Sequence, residues 1–264
     1  MEIKILKDRL QTSYLGDKNI GSIVKKFIYT NVVQYDEEYN LKEEYGLKYN
    51  KKHGEYKGSW IDNKKIKIQC FYKEGKKEGE YNEWFESGKL ELQCFYKDDK
   101  EEGECKEWYD NGQIYYEYTC KDGKEEGEYK QWYENGQLCI QCNYQDGKLN
   151  GENKEWLQNG QLELQCFYKD GEEEGEWREW YENGQLEVQS FYKDGKGEGE
   201  HKKWFYNGQL EVQGNYKDCK AEGEWREWFD NGQLVLQCFY KDGKLNGEYK
   251  EWSEDGVLIT HLVY

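Results

Sequence analysis

The sequence predicts an all-β protein, an elongated, twisted antiparallel meander of 24-residue β-hairpin repeats. Three observations predict it. Trp84, Trp108, Trp132, Trp156, Trp180, Trp204, Trp228 and Trp252 lie 24 residues apart, and self-similarity at a fixed period marks a repeat architecture. Each period holds two turn signals, such as Asn183-Gly184 and Asp194-Gly195, between runs of strand-forming residues. Aromatic residues make up 17% of the chain, Pro is absent and Ala221 is the only alanine, a composition that leans to strands and away from disorder.

The elements follow in chain order. Residues 1–29 do not match the repeat and read as an N-terminal cap, in which Ile20, Ile23, Val24, Phe27 and Ile28 fit a helical face. Residues 30–53 read as a degenerate repeat, because the segment Tyr45 to His53 aligns without gaps to the end of the next unit. The array proper covers 54–264 in nine copies, the last truncated at Tyr264, and the first carries one extra residue that delays Trp60. About twenty strands at 4.7–4.9 Å spacing would make a sheet roughly 90–100 Å long, and such a sheet twists.

Positions are counted from the Gly of each Gly-Glu, so that Gly175 is position 1. A two-residue turn at positions 9 and 10 pairs position 7 with 12, 5 with 14, 3 with 16 and 1 with 18. One face then carries Trp177 and Tyr181 against Leu186, Val188, Ser190 and Tyr192. The other carries Glu176, Arg178 and Trp180 against Glu187, Gln189 and Phe191. The second turn keeps this parity into the next repeat, so turn chemistry and face chemistry agree on the register.

The Gly-Glu-Tyr/Trp opening, the Trp180-Tyr181 pair, the Asn-Gly turn and the Tyr-Lys-Asp-Gly-Lys close resemble the MORN repeat. They are similar to the variant found in antitoxin-like bacterial proteins and in proteins of protists and large DNA viruses. The resemblance covers about residues 54–264. It implies a curved antiparallel sheet serving as scaffold or binding surface, with no common activity, and partners that vary from proteins to membranes and toxins.

Formal net charge is −17. Residues 1–53 carry +2 and the remainder −19, a balance that disfavours nucleic acid and anionic membranes and suits solubility or a basic protein partner. No stretch approaches the ~20 apolar residues of a membrane span, and the N-terminus lacks the apolar run of a signal peptide. The expectation is an intracellular, cytoplasmic protein, in the host cytoplasm or virion if viral. Lys far outnumbers Arg, which occurs only as Arg9, Arg178 and Arg226, and this hints at an AT-rich genome.

No catalytic, cofactor or metal residues are expected. The glutamates at position 2, from Glu80 to Glu248, repeat two strands apart, roughly 9–10 Å, too far to share an ion. Lys and Arg on the same face, such as Arg178 and Arg226, balance them. Cys70, Cys94, Cys142, Cys166 and Cys238 share position 16 with the same spacing, beyond disulfide reach. Cys139 and Cys142 of the C-x-x-C point to opposite faces. Free, half-buried thiols are therefore expected. His53, His201 and His261 have no repeated Ser, Cys or Asp partner.

The aromatic rows read first as cross-strand packing. The competing reading is a protein-binding strip of Trp108, Trp132, Trp156, Trp180, Trp204 and Trp228, since Trp is favoured at interfaces. The final strand is apolar on both faces, with Leu258, Ile259, Leu262, Val263 and Tyr264. It is either an edge that self-associates or is buried under the sheet or under residues 1–29. The sequence therefore predicts a non-enzymatic scaffold that binds protein partners and forms a homo-oligomer through this edge. The alternative is an inhibitor or antitoxin-like protein that neutralises a basic partner.

Overall fold

The computed structural model describes residues 3–4, 29–36 and 40–264. The helical face expected between Ile20 and Ile28 lies outside the described residues. The chain forms two compact units, Met1–Lys124 and Glu125–Tyr264. Both are all-β, without a helix among the described residues, and strands pair antiparallel with their neighbours in sequence. In the first unit, Ile3–Lys4 pairs with Tyr29–Asp36, which pairs with Leu41–Lys48.

One repeat of the second unit shows how the sequence sets the pairing. Gly175–Trp180 pairs with Leu186–Lys193, with Gly175 opposite Tyr192, Trp177 opposite Ser190 and Glu179 opposite Val188, as the turn chemistry predicts. At the hairpin end the register differs from prediction. Trp180 stands opposite Leu186, so position 6 rather than position 7 faces position 12.

The cause is the turn. Gly184 N donates to Tyr181 O at 2.9 Å, and Tyr181 N donates to Gln185 O at 2.9 Å. These bonds leave a three-residue loop in which Gly184, at φ 86°, is left-handed and Asn183 is not. It is therefore not the two-residue type I′ turn expected from Asn-Gly; three-residue hairpin loops need only one left-handed residue. An odd loop reverses the parity of pairing. The bulge between Glu179 and Trp180 restores it, so both faces stay as predicted along the rest of the strands.

Asn at position 9 serves the turn in another way. Asn183 Oδ1 accepts from Gln185 N at 2.9 Å, and its Nδ2 donates to Tyr206 O in the next repeat at 3.0 Å. Asn135 and Asn207 make the equivalent bonds to Gln158 O and Asp230 O. Asparagine thus ties consecutive turns together, and Tyr181 Oη adds a bond to Trp204 O at 2.7 Å.

The second turn is the type expected. Asp194 and Gly195 both lie in the left-handed region, at φ 49° and 71°, and Lys193 pairs with Lys196 across them. Further on, Gln189 faces Lys202 and Val188 faces Lys203, a shift of two residues that leaves the faces unchanged. Position 1 absorbs that shift. Gly175 sits at φ 85°, and a Cβ there would meet nothing within 4 Å. The position needs glycine for its backbone angle and not for space.

The buried layer is a narrow seam on one face, where positions 3, 16 and 18 meet. Cys70, Cys94, Cys142, Cys166 and Cys238 at position 16 are buried, not half-buried as expected, and all remain free thiols. Each position 16 lies between the position 3 residues of its own repeat and the next, as Ser190 lies between Trp177 and His201. Where both flanking residues are rings, as at Cys70 between Tyr56 and Tyr81, room is left only for a small residue. Aromatic pairs such as Tyr81–Tyr96 and Trp177–Tyr192, with centroids 5.3 and 5.7 Å apart, close the seam.

Candidate interaction face and side-chain clusters

The opposite face carries positions 2, 4 and 6 against 15 and 17. Its glutamates are held, not open. Glu152 binds Lys154 at 2.8 Å and accepts from Gln165 Nε2 at 2.6 Å. Glu128, Glu176, Glu200 and Glu224 repeat the arrangement with Lys130/Gln141, Arg178/Gln189, Lys202/Gln213 and Arg226/Gln237. These bonds hold the Glu128 and Glu200 carboxyls below the usual carboxylate range, the lysine contact first and the glutamine second. Lysine likewise leads at Glu152. The row is an internally compensated ladder, in keeping with the balance predicted from sequence.

Trp108, Trp132, Trp156, Trp180, Trp204 and Trp228 are half-buried near the hairpin ends of this face. A more exposed aromatic row flanks them. Phe71 and Phe95 in the first unit, and Phe167 and Phe191 in the second, occupy position 17 and are 37–45% exposed. Sequence reasoning had set Phe191 opposite Glu176 but had not singled out its row. The available signal was an apolar ring recurring on the strand face that otherwise carries Glu, Lys and Gln.

The last strand, Leu258–Val263, pairs with Lys244–Trp252. Leu258, Ile259, Leu262, Val263 and Tyr264 are all exposed, Val263 at 75%. Tyr264 exchanges backbone bonds with Gly247 at 2.9 and 3.1 Å, and its ring lies 6.1 Å from that of Tyr249. The apolar side chains therefore meet solvent in the described chain.

Two departures from the repeat gather chemically able groups on the aromatic face. In the second unit, Ser190 and His201 share a hydrogen bond of 2.7 Å beside a cleft of about 320 Å³. The cleft arises because His201 and Ser190 are smaller than the usual ring and thiol, and Gly197 leaves position 23 without a side chain. Burial, and then Lys203, lower the His201 pKa. Its ring stacks on Trp225 at 6.1 Å and meets Tyr216 edge-on at 5.5 Å. The Glu179 and Glu200 carboxylates also line the cleft, but they are engaged by Trp177 Nε1 and by Lys202 and Gln213, and are not in the position of a group that orients the imidazole of a nucleophilic triad.

In the first unit, Cys94, Glu101 and Cys105 bring ligand atoms within 4.8 Å of one another. Cys120 Sγ lies 3.5 Å from Glu101 Oε2. Contact with Cys105, and then burial, raise the Cys94 pKa. The sequence comparison of cysteines at position 16 and within the C-x-x-C does not reach this group, whose members occupy positions 16, 23, 3 and 18 of two repeats.

Seven consecutive segments, residues 77–98, 101–122, 125–146, 149–170, 173–194, 197–218 and 221–242, match the family described as the MORN repeat variant. Together they span more than half the chain, and the chain belongs to this family. MORN repeats are generally protein- or membrane-interaction repeats, and proteins built from them are typically non-enzymatic scaffolds. No curated protein matches the chain.

Proposed function

We propose that the protein is a non-enzymatic scaffold that holds a protein partner on the face bearing the glutamate–lysine ladder. The observation that carries this reading is the pair of exposed rings in each unit, Phe71 and Phe95 in the first and Phe167 and Phe191 in the second, beside half-buried tryptophans. Within a unit, equivalent rings recur roughly every 9–10 Å, a spacing suited to successive anchors of an extended partner. Aromatic anchors surrounded by compensated polar groups resemble the energetic layout of protein interfaces. The exposed apolar strand Leu258–Val263 supports a second contact, with another copy of the chain through its edge.

Affinity capture from the native host with the full chain and with Phe167→Ser/Phe191→Ser tests the first part. Both proteins should melt alike, and the variant should lose the partner. Capture unchanged by the variant would refute the face. Light scattering on the parent and on Leu262→Lys/Val263→Lys tests the second part, with a dimer expected to become a monomer. A parent that is already monomeric removes that contact from the proposal.

The inhibitor reading rests on the −19 carried beyond residue 53. It predicts a single basic partner whose binding falls steeply with salt. Internal pairing of the position 2 glutamates favours the aromatic anchors instead, and with them a capture that survives salt.

A further inference from the structure

One repeat inverts the packing rule of the seam. Elsewhere position 3 is generally large, position 16 small and position 18 tyrosine. In the repeat opening at Gly103, position 3 is Cys105, position 16 is Tyr118 and position 18 is Cys120. The preceding repeat contributes Cys94 at its position 16 and Glu101 at its position 23. Leu92 faces Glu107 and Gln93 faces Lys106, so the next pair along these strands is Cys94 with Cys105. Tyr96 faces Glu101 on the short return strand Lys100–Glu101. The inversion therefore places three thiols around one carboxylate, all within the first unit.

We propose that Cys94, Glu101 and Cys105, completed by Cys120, bind one thiophilic divalent cation, Zn2+ being the natural occupant. The Sγ atoms of Cys94 and Cys105 and a carboxylate oxygen of Glu101 lie within 4.8 Å of one another. Tetrahedral zinc with its usual bond lengths puts sulfur–sulfur and sulfur–oxygen edges at about 3.5–3.8 Å. Side-chain rotation is enough to close the difference. Cys120 Sγ lies outside that mutual set but at 3.5 Å from Glu101 Oε2, on the carboxylate side, where it would have to turn toward the two other thiols to supply the fourth corner.

The surroundings fit a built site. Cys94, Cys105 and Cys120 are buried, at 1%, 0% and 4% exposure, whereas Glu101 is half-buried and opens a way in from solvent. Tyr96 Oη and Tyr118 Oη each donate to Glu101 at 3.0 Å, one to each oxygen. Hydrogen bonds of this kind orient a ligating carboxylate. On binding, each thiol gives its proton to solvent and its sulfur lone pair to the cation. Among the described residues no second group of this kind occurs. A disulfide between Cys94 and Cys105 is the competing chemistry. It would use two sulfurs, require an oxidant and engage neither Glu101 nor Cys120 as a ligand.

The reduced, metal-free full chain titrated with Co2+ tests the site. One equivalent should bind with strong near-ultraviolet thiolate-to-metal absorption, and one equivalent of Zn2+ should abolish the signal. Cys105→Ser should remove the absorption, and Glu101→Gln, which preserves size, should weaken Co2+ binding at least ten-fold. Cys166→Ser, a buried thiol of another repeat, should leave binding unchanged. Absence of the absorption in the parent overturns the proposal. So does equal affinity in Glu101→Gln, a reading that holds even if Cys105→Ser does not fold. A chain that forms the Cys94–Cys105 disulfide in air and takes up no Co2+ after reduction also overturns it.

Discussion

Gly214→Ala is the sharpest test of the seam, because two principles predict opposite signs for it. Position 16 is cysteine in most repeats, yet here it is glycine. Alanine normally stabilises relative to glycine, by about 0.4–1 kcal/mol, by restricting the unfolded chain. In the structure, however, a Cβ on Gly214 would lie 2.0 Å from Trp225 Cε3, 2.5 Å from Cζ3 and 2.7 Å from Cδ2. Carbon atoms in contact sit about 3.5–4.0 Å apart, so the indole must move by well over an ångström. It is not free to do so. Trp225 Nε1 donates to Glu227 at 2.9 Å, and the ring meets His201, Tyr216 and Tyr240 at 6.1, 5.6 and 6.1 Å. Overpacking of this kind costs about 1–3 kcal/mol. Gly214→Ala should therefore destabilise the surrounding strands by about 1–2 kcal/mol net. Trp225→Tyr, which installs the smaller ring found at position 3 of the repeats opening at Gly54, Gly79 and Gly127, should recover most of the loss when combined with it. Amide exchange of Leu210–Lys217 and Gly223–Trp228 reads the effect locally, which matters in a repeat array that need not unfold in one step. Protection equal to or above the parent in Gly214→Ala would refute the packing argument.

Further outcomes follow from the turns and the titrating groups. Asn183→Gly should destabilise by about 1 kcal/mol, because it deletes the bonds to Gln185 N and Tyr206 O without relieving any strain; urea melts showing stabilisation would reinstate a left-handed Asn183. Gly195→Ala should cost about 1 kcal/mol or more, since Gly195 sits at φ 71° in a two-residue turn, and a thermal midpoint equal to the parent's would contradict it. Burial lowers the folded pKa of His201 from its ordinary 6.5, so its stabilising contribution is complete above 6.5 and is lost as pH falls through the folded value. His201→Tyr should remove this loss, seen as a flatter melting temperature between pH 7 and 5. The lowered pKa values of Glu128, Glu152 and Glu200 place their loss later, as pH falls below 4.5 through their folded values. Glu152→Gln should blunt that second decline.

The period, the two-strand unit and the two faces were legible in the sequence because each is encoded many times. Trp180 to Trp204 gives the period, and the alternation around Trp177 and Ser190 gives the faces. The hairpin turn was not legible from its dipeptide. Asn-Gly satisfies both a two-residue turn and a three-residue loop, and the same three-residue loop forms at Ser87-Gly88 and Asp255-Gly256, so the dipeptide does not decide it. The depth of the thiol row was underestimated for a related reason. Alternation assigns a side chain to a face, but how deeply it is covered depends on neighbours such as Trp177 and His201 on either side of Ser190. Clusters that join unlike positions, as Cys94, Glu101, Cys105 and Cys120 do, require the shifted register at Gly103 as well as the parity.

The same physics explains where chemistry can arise in such a molecule. A regular row separates equivalent side chains by two strands, so no row of one residue type can build a compact site. Compactness comes only where adjacent strands depart from the rule together, because facing positions lie within contact distance. In the repeat opening at Gly103, Tyr118 makes up only part of the volume that Cys105 and Cys120 give up, one ring standing where the neighbouring repeats have two. At Ser190, Gly197 and His201 the lost volume leaves a cleft. The thiol cluster is thus the kind of site this architecture can hold, formed where facing positions of adjacent strands change together. Whether the inversion serves packing alone is decided by Co2+ binding in Glu101→Gln, which preserves side-chain volume but replaces one of the two oxygens that accept from Tyr96 and Tyr118 with an amide NH2.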